Sequence, residues 1–432
     1  MNGAVRVGLL GCGIVGGGTA RILIEHADDL RQRAGVPIEL ARIAVRDLTK
    51  PRAVELPSEI WTDNPNEVVK DPDIDIVVEV IGGIEPPKNL ILDSLSAGKH
   101  VVTANKELLA TQGQELFKVA AEKGVDFLFE GAVAGGIPII RPLKESLAGD
   151  RVKRVLGIVN GTTNFILTRM SEQAESFPEA LAEAERLGYT ELDPSADIEG
   201  YDAAAKLAIL ASIAFNARVV QDNVHREGIA QVKKRDIVAA HDLGYEVKLL
   251  AVAERQDDEI ALSVHPSMIP RRHPLAAVRD VFNAVFVEGV ETGELMFLGR
   301  GAGSGPTGSA VVGDIVEIAR NIRTGGRSPG CTCYRNPARI RHKDMARVRY
   351  YAVLSVVDQP GVLAAIAGVF ADNGVSIASV RQEGFADEAT LVVITHAATE
   401  GQHQATFRDL AELSVVKSLD STMRVHGTAE EE

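Results

Sequence analysis

Apolar and polar positions along residues 1–130 follow the pattern of β-strands that alternate with α-helices. An apolar run at 5–10 breaks into glycines, and apolar positions then return at helical spacing. The clearest later strands are the apolar runs at 74–81 and 99–103. Because strands that alternate with helices form parallel sheets, we predict an α/β fold with a doubly wound parallel sheet.

Three glycines follow the first predicted strand in the spacing G-x-G-x-x-G, namely Gly11, Gly13 and Gly16. In such a motif the glycines allow a tight turn, a close approach of the backbone to a pyrophosphate, and close packing of the helix on the strand. The N-terminus of the following helix offers unpaired N–H groups to an anion. Since a strand precedes the motif and a helix follows it, we predict a Rossmann-type dinucleotide site. A glycine-rich connector without a ligand is the alternative.

The second predicted strand, at 38–45, ends in Arg46 and Asp47. An acid at this position binds the ribose 2′-hydroxyl of NAD, whereas an arginine accommodates the 2′-phosphate of NADP. Asp47 lies further from the glycines than the usual spacing of about 20 residues. The pair favours NADP and leaves NAD open.

The chain beyond residue 130 divides by pattern into further domains. Strand-like runs with helices grouped apart predict an α+β substrate domain, and the order β-α-β-β-α-β at the end predicts a ferredoxin-like module. A glycine-rich loop at 299–305 precedes a helix at 309–322 and either offers N–H groups to a ligand or serves as a flexible crossover. The predicted boundaries are 1–130 for the dinucleotide domain (completed by about 305–323), 131–304 for the substrate domain, 324–345 for a linker and 346–427 for the tail module.

Composition and charge argue against several function classes. The formal net charge of −14 argues against a nucleic-acid partner. No apolar run approaches the length of a membrane span, and the N-terminus lacks a signal-peptide layout, so we expect a cytoplasmic protein without a membrane partner. Cys331 and Cys333 have the wrong spacing for a C-x-x-C site, and we expect a thiol pair at the solvent side rather than a metal or redox motif.

The densest group of polar residues lies at 188–206. Asp202 and Lys206 are i,i+4 neighbours on a predicted helix that is apolar over most of its circumference, so the helix should be buried. A buried ammonium needs a carboxylate or a ligand beside it. Beside a nicotinamide, Lys206 is able to protonate a carbonyl oxygen as hydride reaches the carbonyl carbon. A helix-face salt bridge without function is the alternative.

Three further features carry candidate chemistry. Lys106 follows the strand at 99–103, at the sheet edge where ligands bind, although a solvated lysine at the edge would look the same. Glu191 and Asp202 have the charge to bind the ammonium of an amino acid. The structural alternatives are that Glu191 is a loop carboxylate without a ligand and that Asp197 is a helix N-cap. The segment 129–138 exposes backbone carbonyls that suit a hard cation, or it forms an interdomain hinge.

Taken together, the motifs resemble the homoserine dehydrogenase family in its monofunctional bacterial form with a C-terminal ACT domain. The resemblance covers essentially the whole chain, and the block from Gly188 to Lys206 is its most specific part. The motifs that carry it are GLLGCGIVG near the start, TANKELLA at 103–110, FEGAVAGGIPII at 129–140, NGTTNFILTRM at 160–170, GYTELDPSADIEGYDAAAK at 188–206 and GRGAGSGPTGSAVVGDI at 299–315.

The resemblance implies reversible NAD(P)H-dependent reduction of L-aspartate 4-semialdehyde to L-homoserine, on the route to threonine, methionine and isoleucine. It implies Lys206 as the proton donor and Lys106 as a second catalytic lysine at the cofactor and substrate. The other implied contacts are Gly11, Gly13, Ile14, Val15, Gly16, Arg46, Thr103, Lys106, Gly188 and Gly303 for the cofactor, Glu191, Asp197 and Asp202 for the substrate, and Glu130, Val133, Gly135 and Ile137 for a monovalent cation, sodium.

The resemblance also implies a regulatory tail and an oligomer. The tail resembles an ACT domain, with ligand turns at 358–361 and 373–374, and L-threonine is the expected effector. A homodimer or homotetramer is expected, assembled through the 131–304 domain. We expect that truncation near residue 340 leaves a working dehydrogenase that ignores threonine. Two alternatives stay open on the sequence alone: a cofactor-binding amino-acid sensor without turnover, and a related dehydrogenase with another substrate.

Overall fold

The computed structural model describes residues 3–52, 54–190, 193–385 and 388–427. Its contacts group into two compact units. The first comprises Met1–Gly161, Asp202–Val224 and Val281–Ala338, and the second comprises Thr162–Tyr201, His225–Asp280 and Arg339–Glu432.

Strands and helices alternate through the first part of the chain. Up to the first long crossover they are β1 (Val5–Leu10), α1 (Ile14–Glu25), α2 (Ala27–Ala34), β2 (Ile38–Ala44), β3 (Trp61–Thr62), α3 (Asn66–Val69), β4 (Ile76–Glu79), α4 (Pro87–Ser96), β5 (His100–Thr103), α5 (Lys106–Lys123), β6 (Phe127–Leu128) and β7 (Val152–Ile158). They continue as α6 (Gly161–Glu172), α7 (Phe177–Arg186), α8 (Ser195–Ile198), α9 (Tyr201–Ala214), β8 (His225–Arg226), α10 (Lys234–Asp242), β9 (Tyr245–Gln256), β10 (Glu259–Pro270), β11 (Phe282–Gly289), β12 (Gly293–Arg300) and α11 (Ser304–Thr324). The tail holds β13 (Arg347–Val357), α12 (Val362–Asp372), β14 (Ile377–Phe385), β15 (Glu388–Thr395), β16 (Ala398–Thr399), α13 (Glu400–Glu412) and β17 (Val416–Val425).

The first unit contains the predicted doubly wound sheet. Its strands are parallel and run in the order β3-β2-β1-β4-β5-β6, which confirms the Rossmann-type fold. The strand order reverses between β1 and β4, and this is the point at which ligands bind beyond the carboxyl ends of the strands. The same unit holds a short antiparallel group, β12-β11-β7.

Helix α11 packs on the sheet against α1. A Cβ on Gly18 would lie 2.0 Å from the carbonyl oxygen of Ser304, and a Cβ on Gly308 would lie 2.9 Å from the carbonyl carbon of Gly18. The two glycines therefore let the helices approach at backbone distance. Val311 and Ile315 of α11 are fully buried in the same apolar core as β1.

The second unit contains the tail module in the predicted β-α-β-β-α-β order. Its sheet runs β17-β13-β15-β14, the strand order of a ferredoxin-like module. The module is not free-standing, however, because β17 also pairs in parallel with β10 at Ser267 with Arg424 and Met268 with Val425. The sheet thus continues through β10 into β9.

The segment predicted as a linker is partly anchored within the first unit. The buried backbone N–H of Ser328 donates to Oδ1 of Asp126 at 3.0 Å. Cys331 and Cys333 form a disulfide rather than the thiol pair that we expected. Among the described residues, no helix is both long enough and apolar enough to cross a lipid bilayer.

Candidate active site

The glycine-rich turn between β1 and α1 has the geometry of an anion site. Gly11 has a φ of +98°, and a Cβ there would lie 2.9 Å from the carbonyl oxygen of Val80. A Cβ on Gly16 would lie 2.2 Å from the carbonyl oxygen of Gly11, so the helix returns tightly onto the turn. Gly13 precedes the helix. The N–H groups of Ile14 and Val15 lie in its first turn, where backbone N–H groups have no carbonyl partner within the helix. They are suited to bind a phosphate.

Hydrogen bonds tie the ends of β4 and β5 together beside this turn. The buried carboxylate of Glu79 accepts from Thr103 Oγ1 at 2.7 Å and from the N–H of Ile81 at 2.8 Å. Asn105 caps helix α5 by accepting from the N–H of Leu108, and its amide donates to the carbonyl of Gly83 at 2.7 Å. These bonds fix the position at which α5 begins, and its first residue is Lys106.

Lys106, Asp202 and Lys206 meet at one carboxylate. Nζ of Lys106 lies 2.7 Å from Oδ1 of Asp202, and Nζ of Lys206 lies 2.6 Å from Oδ2 of the same residue. The side chains of Asp202 and Lys206 are 7% and 10% exposed, whereas that of Lys106 is 43% exposed. The i,i+4 pair predicted on α9 is therefore present, and Lys106 adds a second cation on the solvent side.

Two groups after β7 complete this cluster. Nζ of Lys206 donates to the carbonyl of Val159 at 2.7 Å, and Nδ2 of Asn160 donates to Oδ2 of Asp202 at 2.8 Å. Burial alone would raise the pKa of Asp202, but the charges of Lys206 and Lys106 outweigh it and hold the pKa below its ordinary value. Asp202 thus stays a carboxylate between two ammonium groups. Sequence reasoning gave Asn160 no role, although it opens the NGTTN motif.

The end of β2 presents two exposed residues, Arg46 and Asp47. Oδ1 of Asp47 accepts from the N–H of Thr49 at 2.9 Å and from its hydroxyl at 2.7 Å, which lowers the pKa of this carboxyl. Arg52 donates to the carbonyl of Asp47 and lies over the Trp61 ring at 5.4 Å. The carboxylate of Asp47 is therefore hydrogen-bonded within its own loop, whereas Arg46 and Arg52 both lie in the segment that follows β2. Sequence reasoning missed Arg52.

The segment after β6 forms a buried turn with unusual backbone angles. Ala134 and Gly135 have φ values of +55° and +48°, and a Cβ on Gly135 would lie 2.5 Å from the carbonyl oxygen of Gly301. Outside helices and strands, no backbone N–H of the described residues donates to the carbonyls of Val133, Gly135 or Ile137. Three buried carbonyl oxygens on one turn are suitable ligands for a hard cation.

The side chain of Glu130 supports this turn rather than facing it. Its oxygens accept from the N–H groups of Ile139, Ile140 and Arg141 at 2.6, 2.8 and 2.9 Å. Oδ2 of the buried Asp314 in α11 accepts from the N–H of Glu130 at 2.8 Å. Because its carboxylate is engaged in this way, Glu130 would contribute its backbone carbonyl to a cation.

Gly303 lies in the glycine-rich loop before α11. It has a φ of +123° and precedes the helix, so a side chain there would be strained. The loop contacts the turn at 133–137, since the N–H of Gly136 donates to the carbonyl of Arg300 at 3.0 Å. One backbone hydrogen bond therefore joins this loop to the turn at 133–137.

The remaining predicted residues belong to the second unit or lie outside the described residues. Gly188 has a φ of +73° and terminates α7, with its N–H donating to the carbonyl of Glu185. Asp197 is a residue of the short helix α8, not the N-cap of α9. Glu191 lies outside the described residues.

Comparison with known proteins identifies the family. Residues 11–130 match the model "Homoserine dehydrogenase, NAD binding domain", residues 138–316 match "Homoserine dehydrogenase", and residues 350–413 match "ACT domain". The homoserine dehydrogenase of Mycobacterium tuberculosis is 50% identical over 435 residues, with 98% of each chain covered. The chain belongs to the homoserine dehydrogenase family. The family member from Corynebacterium glutamicum is 47% identical, with 98% of this chain and 96% of the other covered.

A solved homoserine dehydrogenase structure supports the assignment. The structure from Thiobacillus denitrificans has a TM-score of 0.92 at 41% identity, with 99% of each chain covered. The protein is thus an NAD(P)-dependent oxidoreductase that interconverts L-aspartate 4-semialdehyde and L-homoserine in amino-acid biosynthesis. The alternatives of a sensor without turnover and of a dehydrogenase with another substrate are set aside.

Proposed function

We propose that Lys206 donates the proton and that Lys106 and Asp202 hold the substrate during this reduction. A reduced nicotinamide cofactor, when bound, would supply the hydride for the aldehyde carbon. Negative charge then develops on the aldehyde oxygen, and the buried ammonium of Lys206 is the acid that protonates this oxygen. The observation that carries the proposal is that both lysines share the carboxylate of Asp202.

The contacts of Lys206 keep it in place for this step. The carbonyl of Val159 and the carboxylate of Asp202 hold its Nζ from two sides. Asn160 donates to the same carboxylate oxygen and so restricts its rotation. A proton donor that is fixed before the reaction needs little reorganisation during it.

Substrate recognition is assigned to acidic groups at the start of α9 and before it. Asp202 offers a carboxylate to the α-ammonium, and Glu191 and Asp197 are proposed as its partners by the resemblance. Replacing each lysine in turn, with cofactor binding and turnover measured on the same protein, tests the assignment of roles.

We propose NADP as the preferred cofactor. Arg46 is exposed at the end of β2, and Asp47 already accepts two hydrogen bonds from Thr49. Because Arg46 is positively charged and the carboxylate of Asp47 is already hydrogen-bonded, the pair favours the 2′-phosphate of NADP over the 2′-hydroxyl of NAD. An archaeal homoserine dehydrogenase that is 29% identical has been solved in complex with NADPH. Gly11, Gly13, Ile14, Val15, Gly16, Thr103, Lys106, Gly188 and Gly303 complete the proposed cofactor contacts.

We propose a sodium site at the turn of Glu130, Val133, Gly135 and Ile137. Two observations support it: outside helices and strands, no backbone N–H in the described part of the chain donates to the carbonyls of Val133, Gly135 or Ile137, and Ala134 and Gly135 have positive φ values. A cation there would tie this turn to the loop before α11 through Gly136 and Arg300. Activity measured in sodium against a larger cation such as tetramethylammonium tests the site.

We propose L-threonine as the effector of the ACT domain, in a homodimer or homotetramer. Two features of the predicted ligand turn support this proposal: Gly361 has a φ of +92°, and a Cβ on Gly384 would lie 2.6 Å from Oδ2 of Asp358. Inhibition kinetics with threonine and sedimentation of the full chain test both points. The cytoplasmic location expected from the sequence stays a prediction.

A further inference from the structure

A buried arginine in the last strand of the ACT domain joins two carboxylates from different parts of the second unit. Nη1 and Nη2 of Arg424 lie 2.7 and 2.8 Å from the two carboxylate oxygens of Glu227. Its Nη2 and Nε also reach Glu400 of α13 at 3.0 and 3.2 Å. The side chain of Arg424 is 6% exposed. A paired, charge-assisted contact of this kind fixes direction as well as distance.

The ACT side of this contact is rigid. Oε1 of Glu400 accepts from the hydroxyl of Tyr350 at 2.7 Å and from Gln404 at 2.9 Å, so the carboxylate is held by several donors at once. Arg424 is also one of only two positions at which β17 pairs with β10 among the described residues. The ACT domain therefore presents Arg424 as a fixed point.

The other carboxylate belongs to a short segment, residues 225–229, that packs on the loop before α9. The guanidinium of Arg226 lies over the Tyr201 ring at 3.5 Å. The N–H of Ile229 donates to the carbonyl of Ile198 at 2.9 Å, and a Cβ on Gly228 would lie 2.4 Å from that same oxygen. The 225–229 segment thus holds residues 198–201 by stacking, by a hydrogen bond and by backbone contact.

The residues held in this way lead directly into the proposed substrate site. Asp197 lies in α8 immediately before them, and Asp202 is the next residue of α9 after Tyr201. We propose that Arg424 is a positioning residue: it holds Glu227, Glu227 fixes the 225–229 segment, and this segment sets the start of α9 where the amino-acid substrate binds. The inference rests on the substrate role proposed for Asp202.

This contact changes the expectation for a truncated chain. Removal of the tail near residue 340 would remove Arg424 and leave Glu227 without this arginine. The proposal therefore predicts that a truncated enzyme binds its amino-acid substrate poorly, not only that it ignores threonine. The full chain is the better object for a test, because the tail shares a sheet with β10.

The experiment compares Michaelis constants in four full-length variants. Arg424→Met removes the cation, and Arg424→Lys keeps the charge without the paired geometry. Glu227→Gln removes the negative charge of a half-exposed side chain and keeps its shape. The fourth variant combines Glu227→Gln with Arg424→Met. We expect Arg424→Met and Glu227→Gln to raise the KM for homoserine by about fivefold or more, the lower end of couplings between distant sites, while the KM for NADP stays within about twofold. The KM for homoserine of Arg424→Lys should lie between those of the wild type and Arg424→Met.

The double variant and a matched control decide the outcome. If Arg424 acts through Glu227, the double variant has a homoserine KM no higher than Arg424→Met alone. The control, Lys417→Met, removes an exposed lysine of the same strand β17 that pairs with Glu388, and should leave both constants unchanged. Additive effects, equal rises in both Michaelis constants, or an unchanged homoserine KM in Glu227→Gln would overturn the proposal.

A further arm separates this proposal from the assignment of the substrate site. If Asp202→Asn leaves the homoserine KM unchanged while Arg424→Met raises it, the substrate role of Asp202 is wrong and the positioning role of Arg424 stands. If Asp202→Asn raises it and Arg424→Met does not, the positioning role alone fails.

Discussion

Nζ of Lys106 lies 2.7 Å from Oδ1 of Asp202, although the two residues come from different helices, α5 and α9. Lys206 occupies the other oxygen of the same carboxylate. Because one anion holds both cations, the position of each lysine depends on Asp202. Loss of that charge should therefore disturb substrate binding and proton transfer together.

Asp202→Asn tests this dependence. The amide keeps the shape of the side chain but no longer balances two ammonium groups. Hydrogen bonds to charged groups contribute about 1.5–3 kcal/mol, so the KM for homoserine should rise by roughly 10- to 150-fold, with a lower kcat. Asp93→Asn, at an exposed position of α4 in the same unit, is the control. Unchanged kinetics in a folded Asp202→Asn protein would contradict the shared-carboxylate account.

Arg46→Ala tests cofactor choice. A contact between a guanidinium and a 2′-phosphate is charge-assisted, and NADH has no such phosphate to lose. We expect the KM for NADPH to rise while the KM for NADH stays the same, so NADH serves as the control in the same protein. Equal losses with both cofactors would mean that Arg46 does not contact the phosphate.

Gly135→Ala tests the cation turn. A Cβ at this positive φ would lie against the carbonyl of Gly301 and force the turn to move. The sodium concentration for half-maximal activity should rise in this variant. Gly149→Ala, where a Cβ meets no atom within 4 Å, should behave like the wild type. A sodium-independent activity in both variants and the wild type would argue against the site.

Lys248 gives a prediction for pH. Burial lowers the pKa of this lysine to about 8, although the charges of Glu246 and Asp280 act in the other direction. Between this value and the ordinary 10.5, the unfolded chain binds a proton that the folded chain has released. The free energy of unfolding should therefore increase with pH across this window.

The variant Lys248→Met removes that titration. Guanidinium unfolding midpoints at pH 8 and at about pH 10 should diverge, with the wild type gaining stability relative to the variant at the higher pH. Parallel changes in the two proteins would show that Lys248 does not titrate in this range.

Local features of the site could be predicted from the sequence because each depends on residues close in the chain. The glycine fingerprint fixes a turn between β1 and α1, and helical periodicity puts Asp202 beside Lys206. The alternation of strands and helices predicted the parallel sheet, and the order of elements in the tail predicted the ferredoxin-like module.

Contacts between distant segments could not be predicted in the same way. The Lys106 contact with Asp202, and the hydrogen bond from Asn160, depend on how α5, α9 and the end of β7 pack, which periodicity does not specify. The pairing of β10 with β17 was missed because an alternating pattern marks a strand without naming its neighbour. The disulfide between Cys331 and Cys333 was missed because a spacing rule for metal and redox motifs says nothing about this pairing.

The most direct test of the catalytic assignment is Lys206→Ala, with kcat for aspartate semialdehyde reduction and the Kd for NADPH measured on the same preparation. Removal of the general acid should lower kcat by about 10²–10⁴-fold and leave the Kd for NADPH within about twofold of the wild type. Lys118→Ala, on the exposed face of α5, should match the wild type in both. A folded Lys206→Ala protein with near-wild-type kcat would contradict the central claim that Lys206 is the proton donor.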